Sequence, residues 1–483
     1  MSIGYREIAN RDALGLAELV RAGQISPREL LDATLERAAE VNPVVNAVVI
    51  DTREVAAEQL ASLPPDAPFG GVPFLLKDAT GMLEGSRLTV GCRALRDNVC
   101  DCDSTLVARS RRAGLVFAGK TSCPEFALLP TTEPLLWGPT RNPWALEHSA
   151  GGSSGGAATA VAAGIVPMAH ASDGGGSIRV PASCCGVFGL KPSRARLPTG
   201  PLYTDLSMGS VSEGVITRTV RDSAAFLDAV EGPEPGDPVR APAHERPFRQ
   251  EVEREPGALR IAFTTAGMLG AEVHRDCASA VRDAAMLCAV LGHEVIDDFP
   301  SLDVEALVEA FEGGLCVAPA GRIRMLESVF GRRFGDDDVE PLTRDLAAMG
   351  RSHPATSVGA WQQQIGIAIR QVGYFMEEQR LDLLLTPVTS RPAPPLGWFA
   401  PGAEGPRVAL RRIGEYLQFT WLWNSAGVPA MSLPLHWTAE GCPVGVQFVG
   451  RLGTEPLLFG LAGQLERARP WAGRRPELPR GSR

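Results

Sequence analysis

Gly151-Gly152-Ser153-Ser154-Gly155-Gly156, an alanine-rich run, and Ser172-Asp173-Gly174-Gly175-Gly176-Ser177-Ile178-Arg179-Val180-Pro181 form the stretch on which the reading of this 483-residue chain turns. Each glycine-rich loop presents a serine, and Ser153 and Ser177 are 24 residues apart (177 − 153). Glycine adopts backbone angles closed to other residues and lets the main chain approach a ligand closely. Gly174, Gly175 and Gly176 running into Ser177 therefore have the composition that an oxyanion hole of backbone N–H groups requires. Such donors contribute about 3 kcal/mol each to a transition state. Taken singly, either loop would pass for an ordinary flexible connection, and it is the doubling that argues otherwise.

Two better-known motifs compete with this reading. Gly151-Gly152-Ser153-Ser154-Gly155 satisfies the G-x-S-x-G elbow, which would make Ser153 a nucleophile served by a later Asp and His. The elbow needs a strand immediately before it, whereas Thr140–Ser149 contains Asn142-Pro143 and reads as a turn. None of the seven histidines lies in a motif that marks it as a base. Gly114-Leu-Val-Phe-Ala-Gly119-Lys120-Thr121 satisfies the P-loop expression. Its variable positions are strand-like, and Ser122-Cys123-Pro124 follows where a phosphate cradle needs a helix N-terminus, so nucleotide binding is rejected.

Outward from the loops, apolar runs at Ala47–Ile50, Val72–Leu76, Leu115–Ala118, Leu383–Leu385 and Val444–Val449 read as strands. Ser26-Pro27-Arg28-Glu29 combines an N-cap, a proline at the first helical position and a capping-box glutamate, which predicts a helix to about Asn42. Strands alternate with helical patterns, so the class is α/β. The Pro- and charge-rich segment Glu231–Pro256 reads as a surface loop within one large domain spanning 1–483, with a helical N-terminal segment over about 1–60 and a helical region over about 300–380.

The stretch from Gly151 through Cys185-Gly-Val-Phe-Gly-Leu-Lys191-Pro192 resembles the signature of the amidase signature family. The resemblance extends to Gly71-Val-Pro-Phe-Leu-Leu-Lys77-Asp78, Gly119-Lys-Thr-Ser-Cys-Pro-Glu125-Phe126 and Thr140-Arg-Asn-Pro-Trp144 upstream. Downstream it takes in Leu384-Leu-Thr-Pro387, Asn424-Ser-Ala-Gly-Val-Pro429-Ala430 and Pro443-Val-Gly-Val-Gln-Phe-Val-Gly450, so nearly the whole chain is covered. It implies a large mixed central sheet with helices on both faces, no cofactor and no metal. Carried over residue by residue, the nucleophile falls on Ser177, a relay serine preceded by a cis peptide on Ser153, and the base on Lys77. The oxyanion donors fall on Gly174, Gly175, Gly176 and Ser177, although the family usually has a hydroxyl residue where this chain has Gly174. For Lys77 to act as a base it must be neutral, which requires burial to lower its pKa from about 10.4. Asp173 and Arg179 are read as charges that pin the nucleophile loop.

The resemblance places substrate contacts in the variable segments Leu128–Thr132, the helical region near Cys316 and Phe419–Trp423, at Leu128, Leu129, Thr131, Cys316, Trp421 and Trp423. The two tryptophans suggest an apolar or aromatic wall. Within the family the pattern is most similar to the nylon-oligomer amidases, where a cysteine matching Cys316 lies in the substrate pocket; a buried inert thiol is the other reading. Linear or cyclic amides, anilides, carbamates or esters would fit. An amidotransferase subunit of a tRNA-dependent glutamine pathway shares the pattern but needs partner subunits and a charged glutamine pocket, and a non-catalytic binding protein would not need the intact triad.

Bulk properties agree with a globular enzyme: 45% of residues are hydrophobic and 21% charged. A net charge of −9 argues against nucleic-acid or anionic-membrane partners, leaving a small-molecule amide and, as an assembly, a homodimer. The ten cysteines have no C-x-x-C spacing and read as free thiols. Ala157–Ala169 is too short for a membrane span, which needs roughly 18–20 apolar residues, and Arg6, Glu7, Arg11 and Asp12 break any export signal. A cytoplasmic location is therefore expected.

Overall fold

A computed structural model of the chain describes residues 10–479, so Arg6 and Glu7, on which part of the N-terminal reading rests, lie outside the described residues. The strands in chain order are β1 (Val48–Asp51), β2 (Pro73–Lys77), β3 (Val116–Thr121), β4 (Arg141–Asn142), β5 (Ala145–Ser149), β6 (Met168–Asp173) and β7 (Phe188–Lys191). They continue as β8 (Ser212–Thr217), β9 (Arg260–Phe263), β10 (Glu294–Asp297), β11 (Leu383–Pro387), β12 (Ala430–Trp437) and β13 (Pro443–Val449). Eleven of them make one mixed sheet in the order β1-β3-β2-β6-β8-β7-β12-β13-β11-β9-β10, while β4 and β5 pair only with each other.

The near-continuous apolar runs of the central strands exist because both faces of the sheet are covered. In β2, Phe74 and Leu76 join the core on one face with Phe117 and Phe226, whereas Leu75 joins the other with Val116, Ala118 and Ala158. The first core is closed by the helices Ala13–Arg21, Val220–Val230, Arg275–Val290 and Glu455–Ala468, and the second by Pro27–Val45, Gly155–Ala162 and Arg179–Cys185. Gly155–Ala162 is buried on every side, which is why it is built from Gly and Ala: a Cβ on Gly156 would sit 2.5 Å from the Ser122 nitrogen.

The capping box at Ser26 forms, but the helix passes through Pro43 to Val45 because Val41 and Val45 are buried in the second core, and Asn46 ends it in the left-handed region. The P-loop lookalike is strand β3, buried throughout, with no helix behind Thr121. Ahead of the Ser153 loop, a strand does occur where a turn was expected: β5 ends at Ser149, held in a hairpin against β4 instead of in the central sheet. In the charged connection, the short helix Phe248–Val252 inserts the fully buried Phe248 into the core, and His244 stacks on it at 4.0 Å.

Residues 304–378 between β10 and β11 hold three helices, Val304–Phe330, Pro341–Ser352 and Ala355–Glu378. All ten cysteines are unpaired, and among the described residues no helix is long and apolar enough to cross a membrane.

Candidate active site

Strands β2 and β6 run parallel, so Lys77 at the end of one and the Asp173–Ser177 loop leaving the other emerge at the same edge of the sheet. Ligands of open α/β sheets bind at such carboxyl ends. Lys77 is fully buried, and its Nζ donates to Ser153 Oγ at 2.8 Å and to Ser172 Oγ at 3.1 Å, with the Ser172 carbonyl at 3.4 Å. Burial pushes its pKa down from 10.5 to about 8, while Glu213 and Asp173 pull the other way. Cys123 exerts no pull at that pH, because burial pushes its thiol up and the neutral S–H donates to the Asp78 carbonyl at 3.1 Å.

Ser153 follows a cis peptide from Gly152, as expected from the resemblance. Its loop is clamped from behind by residues 129–132. A Cβ on Gly152 would lie 2.5 Å from the Thr131 nitrogen, and the Thr132 hydroxyl donates to the Gly151 carbonyl at 2.9 Å while accepting from the Gly155 N–H at 3.1 Å. The two serine loops are tied together where the Ser154 N–H donates to the Ser177 carbonyl at 3.2 Å. Ser177 is half-buried, and its hydroxyl makes no hydrogen bond with a described residue. Links of this kind often close only when substrate is bound.

The nucleophile loop is held by a buried ion pair. Arg179 meets Asp173 through two bonds of 2.9 Å, both side chains wholly buried. Asp173 accepts from the N–H groups of Gly176 at 2.7 Å and Ile178 at 3.1 Å, and Asn424 donates to its Oδ1 at 2.9 Å and its carbonyl at 2.8 Å. Burial works to raise the Asp173 carboxyl, but Arg179 and Asn424 outweigh it and hold it well below the usual carboxylate range. One expected oxyanion donor is thereby changed: the Gly176 N–H is consumed by Asp173, because an ionised buried carboxylate must be fully hydrogen-bonded. Among the described residues, the N–H groups of Gly174, Gly175 and Ser177 have no acceptor. Gly176 still has to be glycine, with φ at +128° and Thr420 Oγ1 2.6 Å from where a Cβ would stand.

The expected wall residues are distributed unevenly. Cys316, on the Val304–Phe330 helix, is buried in a cluster with Leu342, Leu346 and Leu410 against which Leu128 and Leu129 pack. Burial pushes its thiol up to about 11, so it is neutral. Trp421 backs onto the nucleophile loop, its Cβ 3.9 Å from where a Cβ on Gly175 would be, and the Phe311 ring packs against it tilted by 47°, with centroids 5.4 Å apart. Trp423 is tied to the main chain, donating to the Phe419 carbonyl at 2.8 Å. The Thr131 hydroxyl is engaged by Glu133 at 2.6 Å and Ser149 at 2.7 Å, which makes it a brace behind Gly152. Among the described residues, no group of three or more His, Cys, Asp and Glu is placed to hold a metal ion.

Reading from the sequence missed Ser172, His170 and Glu213, and it placed Thr132 and Thr420 only within segments that choose substrate, not as braces of the serine loops. The first could have been suspected from its place in Ser172-Asp173-Gly174; the others reach the site only through sheet pairing and loop crossing, and leave no mark in local sequence.

A family model described as Amidase matches residues 29–459. The 6-aminohexanoate-cyclic-dimer hydrolase of Paenarthrobacter ureafaciens is 41% identical over 98% of this chain and 98% of its own length. An acylamidase of Rhodococcus erythropolis is 33% identical over 96% of each. Among solved structures, 6-aminohexanoate cyclic dimer hydrolase complexed with substrate superposes with a TM-score of 0.91 at 40% identity, covering 97% of this chain and 99% of that one.

Proposed function

The chain belongs to the amidase signature family and is an amidase, a hydrolase of carbon–nitrogen bonds, and from that premise we propose that it cleaves uncharged amides through an acyl-enzyme on Ser177. The observation that carries this reading is Lys77, wholly buried, without a carboxylate partner in contact and 2.8 Å from the Ser153 hydroxyl. In the neutral amine a lone pair replaces one N–H, so Lys77 takes the Ser153 proton as Ser153 takes that of Ser177. Ser177 Oγ bonds to the amide carbon, and the oxyanion is received by the free N–H groups of Gly174, Gly175 and Ser177. The proton returns through Ser153 to the departing nitrogen as the C–N bond breaks. Water then adds to the ester, giving its proton along the same path, and the acid leaves with Ser177 restored.

For the substrate, the apolar Leu128, Leu129 and Cys316 cluster and the tilted Trp421–Phe311 ring pair support an uncharged acyl chain. The likeness to a cyclic-dimer hydrolase supports cyclic and linear amides of aminohexanoate type first, with anilides and carbamates next. The test is turnover of a panel containing 6-aminohexanoate cyclic dimer, linear amides, anilides and carbamates, alongside labelling with a fluorophosphonate. Cleavage of at least one member and a label on Ser177 are expected. No label and no turnover would leave a binding protein, and turnover of glutamine only with added partner subunits would make it an amidotransferase component.

A further inference from the structure

Directly beneath Lys77 lies a buried pair that the chemistry above does not use. The Lys77 main-chain N–H donates to His170 Nδ1 at 3.2 Å, which makes that nitrogen an acceptor and leaves the ring neutral with its proton on Nε2. His170 Nε2 then donates to Glu213 Oε2 at 2.8 Å, and the Thr80 hydroxyl donates to the same oxygen at 3.0 Å. Both side chains are at most 4% exposed. The turn after Lys77 is shaped around the pair: Thr80 supplies a donor, and a side chain at Gly81 would press on His170 Nδ1 at 3.1 Å and the Lys77 carbonyl at 2.9 Å.

The charges around Lys77 can be counted element by element. From β6, Asp173 is neutralised by Arg179, and His170 is neutral. Beyond β3, the Cys123 thiol is neutral, and Lys120 points away to donate to the Arg87 carbonyl at 2.6 Å. Asp78 turns to Thr89, accepting its N–H at 2.8 Å. That leaves Glu213, from β8, as the group acting on Lys77 whose charge no cation cancels. Its outer side borders a small pocket open to solvent, where Arg194, Asp205 and Asp237 are the charged walls and Arg194 is taken up by the Gly209 and Ser425 carbonyls.

We propose that His170 and Glu213 are positioning residues for Lys77: the ring fixes the lysine main chain, and the carboxylate supplies the counter-charge that governs when the side chain holds its proton. The pair works through Lys77 and touches no reacting atom, and the inference rests on the lysine-base reading given above. A carboxylate near an ammonium favours its charged form by one to a few pH units, so removing the charge releases the base at lower pH.

The test is the pH dependence of kcat/KM, on any amide the wild type turns over, and of fluorophosphonate labelling of Ser177. In wild type both rise through about pH 8. In Glu213→Gln the rising limb moves down by about one pH unit. One unit below the wild-type midpoint the neutral fraction of Lys77 then rises about fivefold, and because a base weaker by one unit offsets part of that, the variant is faster than wild type by about twofold. A merely structural role could only slow it. Glu213→Asp keeps the charge one methylene further back and shifts in the same direction by less; it replaces Glu213→Gln if the latter does not fold. A folded variant whose limb stays at the wild-type pH overturns the inference while sparing the lysine base. A wild-type profile flat over about pH 6–10 removes both.

Discussion

At the scale of the residue, Lys77 has two hydroxyl neighbours where the family pattern assigns it one. Ser153 at 2.8 Å stands between the lysine and the nucleophile loop, whereas Ser172 at 3.1 Å is the last but one residue of β6 and also holds Ser154 through its carbonyl. If Ser153 carries the proton and Ser172 only steadies the amine, their losses differ in kind. Ser153→Ala removes the path and is expected to lower kcat by about 10³-fold, while Ser172→Ala removes one neutral hydrogen bond and costs about tenfold. Single-turnover acylation rates of the two variants check this, and equal losses would make Ser172 part of the path.

At the scale of the element, the loop between β6 and the Arg179–Cys185 helix is positioned by charge more than by apolar contact. Besides its two bonds to Asp173, Arg179 reaches three acceptors from the C-terminal third: the Thr420 carbonyl at 3.0 Å, Gln447 at 2.7 Å and Asn424 at 2.5 Å. Asn424 opens the Asn424–Ala430 motif, so that motif and the signature loop are parts of one buried network. Breaking a buried pair by removing one partner costs about 3–5 kcal/mol, because the other charge is stranded. Arg179→Leu should therefore lower unfolding stability at pH 7 by about that amount, read from a denaturant midpoint; a change under about 1 kcal/mol would mean the loop is anchored elsewhere. The Asp173 carboxyl sits well below its unfolded value, so the pair's contribution is complete above the ordinary aspartate range and is lost only in strong acid, as pH falls through the folded value.

At the scale of the whole molecule, the buried base sets activity against stability. The Lys77 pKa falls from 10.5 in the unfolded chain to about 8 in the fold, so between those values the unfolded state binds the extra proton and stability rises with pH. Below about pH 8 the fold carries the full burden of a buried ammonium. Lys77→Met is expected to abolish turnover yet raise unfolding stability by about 1–3 kcal/mol at pH 7, with the gain shrinking toward pH 10.5. Thermal melts across pH check this; a variant less stable than wild type at pH 7 would show that the hydrogen bonds of Lys77 outweigh its desolvation. The α/β class, the central strands β2, β3, β11 and β13, the capped helix after Ser26 and the strand nature of the P-loop lookalike were legible from sequence, since apolar runs, caps and turn residues act over a few neighbours. So were Lys77, Ser153 and the Asp173–Arg179 pair, which lie inside contiguous motifs. Only the tertiary structure decided that Gly176 spends its N–H on Asp173, that Trp423 serves the main chain, and that Thr132, Thr420, His170 and Glu213 surround the site. The Gly176 and Trp423 bonds span only three and four positions, but they are fixed by the burial that the fold imposes on Asp173 and Trp423. The contacts of Thr132, Thr420, His170 and Glu213 depend on which strands pair across the sheet and which loops cross; they join residues 23 to 245 positions apart, and no local pattern encodes them.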